Sequence, residues 1–426
     1  MNLSYFKVWA KFFLSIGVTA IVCLCILNNA QAAGLEKQVI KVGYAGGLNY
    51  IFGKQMLQAA QFAAEEINAS GGVLGSKIEI IPADTGLTAA GAISAISKLV
   101  ASDKVDFLIG AYTSEEATAF QSEAKKHQIL SLVHMTTMRF DQAYLEDPAN
   151  NKYVFAVSSS EVDTAAPYID SMPYFVSTLK KTLGRKKINV ALITDNALWT
   201  VNIDKMMKKA FDKNKDINFV YHTKPARNAT DFTTEITQIL NKDIQLVYVY
   251  GGYGSAIPMI KQFKEMQVPV LLTGAIILAM SPDDFIKAVG PQNAAYVATG
   301  PFGTELASER CAELVRKFKS KYSAYPGHYA VEGYNFIKVL AKALERAGTM
   351  NDETLIKTIE EITLPASETW GGTVRFKNHR VVFDYDINKG IRRYMMQYTP
   401  EGTDTVVIYP QKYAGSELMI PPYMIK

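Results

Sequence analysis

The sequence predicts an α/β protein with parallel sheets arranged in two lobes. From Val39 onward, short apolar runs alternate with amphipathic stretches, and this order favours parallel strands with helices on both faces of each sheet. The chain has 426 residues, more than one hydrophobic core usually supports, so we expect two domains. No Pro-rich or low-complexity linker divides it, which indicates that the chain crosses between the lobes more than once.

Ten apolar runs, rich in β-branched residues and bounded by turn residues, are predicted to be buried strands. They are Val39–Ala45, Ile78–Ile81, Val105–Ile109, Ile129–Val133, Val154–Val157, Ile188–Ile193, Ile217–Tyr221, Leu246–Tyr250, Val268–Leu272 and Ala295–Ala298. After the first strand, apolar residues repeat at helical spacing as far as Ser70-Gly71-Gly72, where glycine can form a left-handed helix cap. Near the C-terminus, Arg393–Thr399 and Thr405–Tyr409 predict a hairpin.

Three crossings between the lobes are predicted where the strand and helix patterns change. We place them near Ser158–Ser160, Thr299–Gly303 and Arg375–Phe383. Lobe I would then comprise residues 39–157 and 303–375, and lobe II residues 158–302 and 376–426.

The N-terminus is typical of a secretory signal peptide. Two lysines precede an apolar run, Phe12–Leu27, which is followed by the small-residue pattern Ala30-Gln31-Ala32. The run is shorter than the ~20 residues that usually span a membrane, so we expect residues 1–32 to be cleaved near Ala32. The residues before Cys25 are not the small ones that lipid attachment would need. We therefore predict an exported, periplasmic protein with no direct membrane anchor.

Charge and cysteine content argue against a nucleic-acid-binding protein and against a fold stabilised by disulfides. The net charge is +4, which gives no electrostatic footprint for nucleic acid. Only Cys311 would remain after cleavage, so no internal disulfide is predicted. The basic residues within Lys180–Lys187 and Lys205–Lys215 are typical of a solvated helix face. The alternative is a docking patch for a membrane partner.

The sequence carries no motif for catalysis, for a cofactor or for a metal ion. Gly43–Gly47 follows the first strand but lacks the third glycine of a dinucleotide fingerprint, and no GK[ST] follows a glycine-rich turn. The histidines show no HExxH or paired spacing and are interpreted as ordinary surface or core residues. They are His127, His134, His222, His328 and His379. We predict no enzymatic activity, no cofactor and no metal site.

Four turns lie at the C-terminal ends of predicted strands, where ligands bind in open α/β sheets. They are Ala111–Glu116, His134–Thr137, Asp195–Trp199 and Gly251–Ser255. In the first turn, the hydroxyl groups and free N–H groups of a helix N-terminus could bind a carboxylate. The alternative is that Thr113 and Glu116 form only a capping box. Together the four turns predict a cleft between the lobes.

Several segments resemble the leucine/isoleucine/valine-binding family of periplasmic receptors for ABC transporters. They are Ala64–Gly75, Thr230–Phe232, Tyr250–Tyr253, Leu340–Gly348, Gly371–Phe376 and Ile420–Tyr423. The resemblance implies a type I periplasmic binding fold, in which two Rossmann-like lobes joined by three crossings close on a ligand. It also implies a small-molecule ligand and an inner-membrane ABC permease as partners, and we expect a monomer.

The resemblance also implies positions for the ligand site. The family's carboxylate-binding serine corresponds to Ser114, next to Thr113, and the strand-end pair that grips an amino acid corresponds to Met135 and Thr137. An aromatic residue after the first strand corresponds to Phe52, and the tyrosine of the second lobe to Trp199.

The sequence departs from the family at the residue that pairs with the ligand ammonium group. Amino-acid-binding relatives carry a glutamate there, whereas this chain has Ala256. A buried ammonium without a partner costs several kcal/mol, so we expect a small monocarboxylate with an apolar or aromatic body. The alternative is that Asp195 replaces the glutamate and an amino acid binds.

An aromatic ligand would need stacking partners and a cationic residue for its carboxylate. A ring could stack among Phe52, Trp199 and Tyr253, with Arg139 near the carboxylate.

A sensory module that signals to a membrane partner would use the same lobe closure and remains an alternative to transport. An exported enzyme has less support.

Overall fold

The computed structural model describes Leu35, residues 37–300 and residues 308–425. The predicted signal peptide, residues 1–32, therefore lies outside the described residues. Across these ranges, none of the helices combines the length and the apolar character that a membrane crossing requires.

The first sheet has eight strands among the described residues and is mostly parallel. They are β1 (Val39–Gly46), β2 (Lys77–Asp84), β3 (Phe107–Gly110), β4 (Ser131–Val133), β5 (Val154–Ala156), β11 (Thr363–Leu364), β12 (Val374–Lys377) and β13 (Arg380–Val381). Their spatial order is β11-β12-β13-β5-β4-β3-β1-β2. Strands β1 to β5 and β13 run parallel to one another, whereas β11 and β12 are antiparallel to their neighbours.

The second sheet has seven strands in the same described ranges. They are β6 (Ile188–Thr194), β7 (Ile217–Thr223), β8 (Leu246–Tyr250), β9 (Leu271–Thr273), β10 (Ala298–Thr299), β16 (Met395–Tyr398) and β17 (Thr405–Tyr409), in the order β17-β16-β10-β9-β8-β6-β7. The predicted C-terminal hairpin is confirmed as the antiparallel pair β16–β17. A short parallel pair, β14 (Phe383–Asp384) and β15 (Ile391–Arg392), lies between the two sheets in the chain.

Helices connect most of the parallel strands, as the alternating pattern predicted. They are α1 (Ile51–Ala69), α2 (Ala89–Ala101), α3 (Ser114–His127), α4 (Arg139–Glu146), α5 (Pro148–Asn151), α6 (Glu161–Leu183), α7 (Val201–Lys213), α8 (Thr233–Asn241), α9 (Tyr253–Glu265), α10 (Pro282–Val289), α11 (Pro291–Ala294), α12 (Glu309–Tyr322), α13 (His328–Ala347) and α14 (Asp352–Glu361). Short 3₁₀ turns occupy Leu198–Thr200, Ile277–Met280, Gln411–Tyr413 and Pro422–Met424.

Helices α1 and α13 pack closely because the residues between them are small. Ala59, Ala60 and Ala63 of α1 are fully buried. On the α13 side, a Cβ atom added to Gly333 would lie only 2.1 Å from the carbonyl oxygen of Met56. A larger side chain there would force the two helices apart, and this contact fixes α13 against the first sheet's helical layer.

Within residues 37–300 and 308–425, the strands change from one sheet to the other three times, which confirms the predicted class of two α/β lobes joined by three crossings. The crossings follow β5, β10 and β13. The sequence predicts the third crossing near Arg375–Phe383, and in the structure β12 and β13 belong to the first sheet, which continues to Val381 within that range. Strand β13 is only two residues long, and its pairing with β5 at Ala156 joins distant parts of the chain, so no local pattern marks it.

Every predicted strand overlaps an observed strand, although two are displaced. Val268–Leu272 was predicted where β9 begins at Leu271, and Ala295–Ala298 was predicted where β10 begins at Ala298. Before β10 the backbone of Tyr296 has a φ of 66°, in the left-handed region that β-strand residues do not adopt. The apolar character of this segment reflects burial at the end of α11 rather than an extended backbone.

Candidate functional site

A cavity lies where the carboxyl ends of strands from both sheets meet, with about 810 Å³ of space free of protein atoms, part of it continuous with solvent. This position agrees with the site where open α/β sheets bind ligands. Its walls are Tyr112, Thr113, Ser114, Glu115, His134, Thr136, Ser159, Asp163, Thr164, Pro167, Trp199, Arg227, Gly252, Ile277, Met280, His328, Tyr329, Phe383 and Arg393.

The N-terminus of α3 forms one wall of this cavity. Thr113 is the N-cap: its hydroxyl accepts the N–H of Glu116, and the Glu116 carboxylate accepts the N–H groups of Thr113 and Tyr112 at 2.8 and 3.1 Å. The predicted capping box is therefore present. It leaves the Ser114 hydroxyl, which lines the cavity, without a hydrogen-bond partner among the described residues. The cap therefore does not use the Ser114 hydroxyl.

The chain turns sharply before α3 because β3 ends in Gly110, whose φ is 132°. A Cβ atom at this position would lie 2.1 Å from the carbonyl oxygen of Ala45 on the neighbouring strand β1. Only glycine fits this close approach with a positive φ. The turn directs Ser114 and Glu115 toward the second sheet.

Aromatic side chains form the apolar part of the cavity. Tyr112 and Tyr329 meet edge to face with ring centroids 4.9 Å apart. Phe52 lies behind them, 5.5 Å from Tyr112 and 5.0 Å from Tyr329 between centroids, and is 2% exposed. On the opposite side, Trp199 is half-buried and packs against Tyr250 with centroids 6.4 Å apart.

A cluster of His134, His328 and Glu332 forms a polar part of the wall. Nδ1 of His134 lies 2.8 Å from Oε2 of Glu332, and Nε2 of His328 lies 3.1 Å from Oε1. Glu332 is 2% exposed. Burial raises the pKa of this carboxyl, but the two imidazoles outweigh burial, so that the pKa is lowered from its usual value. The carboxylate is held as an anion next to the cavity.

Two arginines face the cavity, each close to an acidic residue. Arg393 forms an ion pair with Asp163, whose other oxygen accepts the N–H and the hydroxyl of Ser160 at the start of α6. Nε of Arg393 is buried and forms no hydrogen bond with the described residues. Arg227, in the segment after β7, lies 3.9 Å from Glu115 at the start of α3.

Asp195 lies beside the cavity, yet its carboxylate is already occupied. Its Oδ2 accepts the N–H of Gly252 at 2.6 Å, and its Oδ1 accepts the Ser255 hydroxyl at 2.6 Å. Burial raises the pKa of Asp195 above its usual value, although these two hydrogen bonds oppose the shift. The side chain ties the end of β6 to the first turn of α9.

A family model described as "periplasmic binding protein" matches residues 39–390. The chain belongs to this family. A Leu/Ile/Val-binding protein homologue from Brucella abortus (strain 2308) is 24% identical over 387 residues, which are 87% of this chain and 90% of that protein. The resemblance to the Leu/Ile/Val-binding proteins is therefore confirmed.

Solved structures share the fold of this periplasmic binding protein. A putative branched-chain amino acid ABC transporter from Silicibacter pomeroyi matches with a TM-score of 0.77 and 20% identity, over 90% of this chain and 100% of that chain. A solute binding protein of an ABC transporter from R. palustris, in complex with benzoate, matches with a TM-score of 0.69 and 16% identity, over 91% of this chain and 99% of that chain.

Of the residues that sequence analysis proposed for the binding site, three line the cavity: Thr113, Ser114 and Trp199. Phe52 packs behind the cavity wall, and Ala256 is buried within α9 at 1% exposure. Arg139 is exposed at the start of α4. The side chain of Tyr253 lies outside the described part of the chain, although its backbone begins α9.

Met135 and Thr137 have neighbours that line the cavity in their place. The N–H of Met135 donates to the Ser158 hydroxyl at 2.7 Å, and its carbonyl accepts from Arg380 at 2.6 Å. The cavity is lined instead by His134 and Thr136. Successive side chains of an extended segment point to opposite sides, so residues 134 and 136 share one side and 135 and 137 the other.

Sequence reasoning missed the residues that come from α13 and from the loops of the second sheet. His328 and Glu332 are four residues apart, the spacing that places two side chains on one face of a helix, and this signal was available. Tyr329 lies in the same turn. Arg227 and Arg393 follow β7 and β15 without any local motif, and only the fold brings them to the cavity.

Proposed function

We propose that this periplasmic binding protein captures a small carboxylate-bearing solute in the cavity between its two lobes and delivers it to an inner-membrane ABC permease. The observation that carries the proposal is the placement of the free Ser114 hydroxyl, at the N-terminus of α3, on the wall of a partly aromatic cavity. The ligand's carboxylate would lie at this helix end, and its apolar body would lie against the aromatic rings.

The positive end of α3 provides the carboxylate subsite. A helix N-terminus presents unsatisfied N–H groups and a partial positive charge, and both favour an anion. Arg227 and Arg393 line the same cavity, and Nε of Arg393 remains available among the described residues. A hydrogen bond from a charged donor to a carboxylate is roughly twice as strong as a neutral one.

Among the described acidic residues at the cavity, all but Glu115 have a close polar partner. Asp163 pairs with Arg393, Glu115 lies near Arg227, and Glu332 lies between two histidines. Asp195 holds Gly252 and Ser255. An ammonium ion in this cavity would have to displace one of these partners or share the half-exposed Glu115 with Arg227, which favours an aromatic or apolar monocarboxylate over a free α-amino acid.

The family contains both classes of ligand. The R. palustris neighbour is a complex with benzoate, whereas the Brucella abortus relative is named for leucine, isoleucine and valine. A branched-chain amino acid is therefore the second candidate, and Asp195 would be its ammonium partner. The pairing of Asp195 with Gly252 and Ser255 argues against this candidate.

The decisive experiment is a calorimetric and thermal-shift comparison on protein that has been unfolded and refolded to remove carried-over ligand. The probes are benzoate, 4-hydroxybenzoate, 4-methyl-2-oxopentanoate and leucine. We expect stabilisation by one or more of the three acids that lack an ammonium group. Stabilisation by leucine alone would establish the second candidate, and the Asp195→Asn variant would then lose that response.

A further inference from the structure

We propose that His134, His328 and Glu332 form a binding site for a divalent transition-metal ion of the zinc class in the cavity wall. One ligand atom from each residue lies within 4.8 Å of the other two. The site is independent of the proposed organic ligand. It places a Lewis-acidic ion beside the space in which a ligand would lie.

Two separate parts of the fold hold these side chains in place. His134 follows β4, with its N–H donated to the carbonyl of Gly110 at 2.9 Å. His328 and Glu332 lie one turn apart on α13, which Gly333 seats against α1. Because each residue is fixed by backbone contacts, the donor set is preorganised rather than assembled by flexible surface chains.

The donor atoms fit zinc in type and in spacing. Two imidazoles and one carboxylate form a set that zinc uses at sites with an open fourth position. With bond lengths of about 2.0–2.1 Å, neighbouring ligand atoms in a tetrahedral site are about 3.3 Å apart. Nδ1 of His134 lies 2.8 Å from Oε2 of Glu332, and Nε2 of His328 lies 3.1 Å from Oε1. Because all the ligand atoms lie within 4.8 Å of one another, an ion would need shifts of about 1.5 Å at most to bring them to this spacing.

One oxygen of the Glu332 carboxylate accepts no hydrogen bond from the described residues. Oε1 of Glu332 is buried, and no described group donates to it with acceptable hydrogen-bond geometry, although Nε2 of His328 lies 3.1 Å away. A buried carboxylate oxygen without a hydrogen bond is costly. Coordination to a cation would satisfy it.

The second nitrogen of His134 has the partner that a metal ligand needs. Its Nε2 lies 3.2 Å from the hydroxyl oxygen of Thr136. If Nε2–H donates to Thr136, Nδ1 is left unprotonated and directed at Glu332 and the proposed ion. Ligating histidines usually donate their other N–H in this way, which fixes the ring and its tautomer.

The fourth coordination position would face the cavity, since both His134 and His328 line it. A water molecule or an oxygen of a bound anion could occupy that position. The same three residues could instead form only a hydrogen-bonded cluster in which the histidines neutralise a buried acid. The two possibilities differ in one measurable property, which is stoichiometric metal binding.

The test is titration of the metal-free full-length mature protein with Zn²⁺ by calorimetry and with Co²⁺ by visible absorption, with no organic solute present. We expect one ion per chain and the intense visible bands of four-coordinate Co²⁺. His328→Gln and Glu332→Gln should each weaken binding at least tenfold. His328 is the safer variant because it is partly exposed at the start of α13.

The matched control is His222→Gln, because His222 also contacts an acidic residue, Asp204 at 3.1 Å, but belongs to the second sheet. It should bind metal as the unmodified protein does. Absence of stoichiometric binding in the unmodified protein would overturn the proposal, as would equal binding by the His328→Gln and His222→Gln variants. Neither result bears on capture of an organic carboxylate, which is measured separately with metal removed.

Discussion

The guanidinium of Arg380 donates a 2.6 Å hydrogen bond to the carbonyl oxygen of Met135. The same side chain donates to the carbonyl of Ser158 at 3.2 Å and to both carboxylate oxygens of Asp141 at 2.6 and 2.9 Å. Arg380 belongs to β13, at the third crossing, while Met135 follows β4. One arginine therefore links the cavity wall to the first and third crossings between the lobes.

Replacing Arg380 by alanine should destabilise the protein by about 2–4 kcal/mol. The change leaves two buried carbonyls without a donor and Asp141 without its partner, and each unsatisfied group costs about 1–3 kcal/mol. Chemical denaturation of the variant measures the loss. Arg139→Ala is the control, because Arg139 is exposed on neighbouring α4 and should change stability by no more than about 0.5 kcal/mol. Equal stability of the two variants would show that the Arg380 contacts contribute nothing.

Ser114 and Thr113 should separate ligand binding from helix capping. Ser114→Ala removes a hydroxyl that lines the cavity without serving as the cap, so ligand affinity should fall by about 1–3 kcal/mol with little change in stability. Thr113→Ala removes the N-cap and should lower stability by about 1 kcal/mol. Calorimetry with the solute found in the screen and thermal denaturation of both variants give the comparison. Unchanged affinity in Ser114→Ala would remove Ser114 from the ligand site.

The sequence predicted most of the fold because its long strands and helices repeat their apolar residues at regular intervals. Strand β8 was predicted with its observed bounds, Leu246–Tyr250. Strand bounds were displaced where a single backbone angle decides them, as the φ of Tyr296 does before β10. β13 depends on pairing with a strand more than two hundred residues earlier, and such pairing has no local signature.

For the candidate site, the sequence predicted turns that reach the cavity, but not always the side chains that line it. The turn after β4 does reach the cavity, yet His134 and Thr136 line it rather than Met135 and Thr137. A shift of one residue in an extended segment exchanges its two faces. The sequence alone does not determine whether the even-numbered or the odd-numbered residues face the cavity. Residues brought in by α13 and by the crossings required the fold.

Because of Lys264, the free energy of unfolding should depend on pH in the alkaline range. Its ammonium group lies in the second lobe, donates to the carbonyl of Ala295 at 2.6 Å and is 9% exposed. Burial lowers the pKa of Lys264 to about 7, from an ordinary value of 10.5. Between these two values the unfolded chain binds a proton that the folded chain does not, so stability should rise as the pH increases from about 7 to about 10.5.

The Lys264→Met variant isolates this effect. Other groups titrate equally in both proteins, so the stability of the unmodified protein minus that of the variant should increase with pH. The slope has an upper limit of about 1.4 kcal/mol per pH unit. Denaturation of both proteins at pH 7, 8 and 9 measures it. A difference that is constant over this range would show that Lys264 stays protonated in the folded state.

The last prediction concerns closure of the two lobes. Arg227 and Glu115 form an ion pair between the two lobes. Arg227 follows β7 of the second sheet, and Glu115 lies on α3, which follows β3 of the first sheet. The two side chains are 53% and 38% exposed and 3.9 Å apart, so the pair contributes about 0–1 kcal/mol at most. This contact alone would not prevent the lobes from separating when the cavity is empty. A bound solute that contacts both lobes would favour the closed form by its differential affinity.

Small-angle scattering of the refolded protein, with and without a saturating solute from the screen, tests this closure. We expect the radius of gyration to decrease on binding, and Arg227→Gln should retain the decrease because the solute, rather than the ion pair, supplies most of the closing free energy. Ser114→Ala measured at the same fractional saturation should close to the same extent, since only its affinity is reduced. An unchanged radius of gyration at saturation in the unmodified protein would contradict closure on binding. It would mean that contacts other than the weak Arg227–Glu115 pair already hold the lobes together without a ligand.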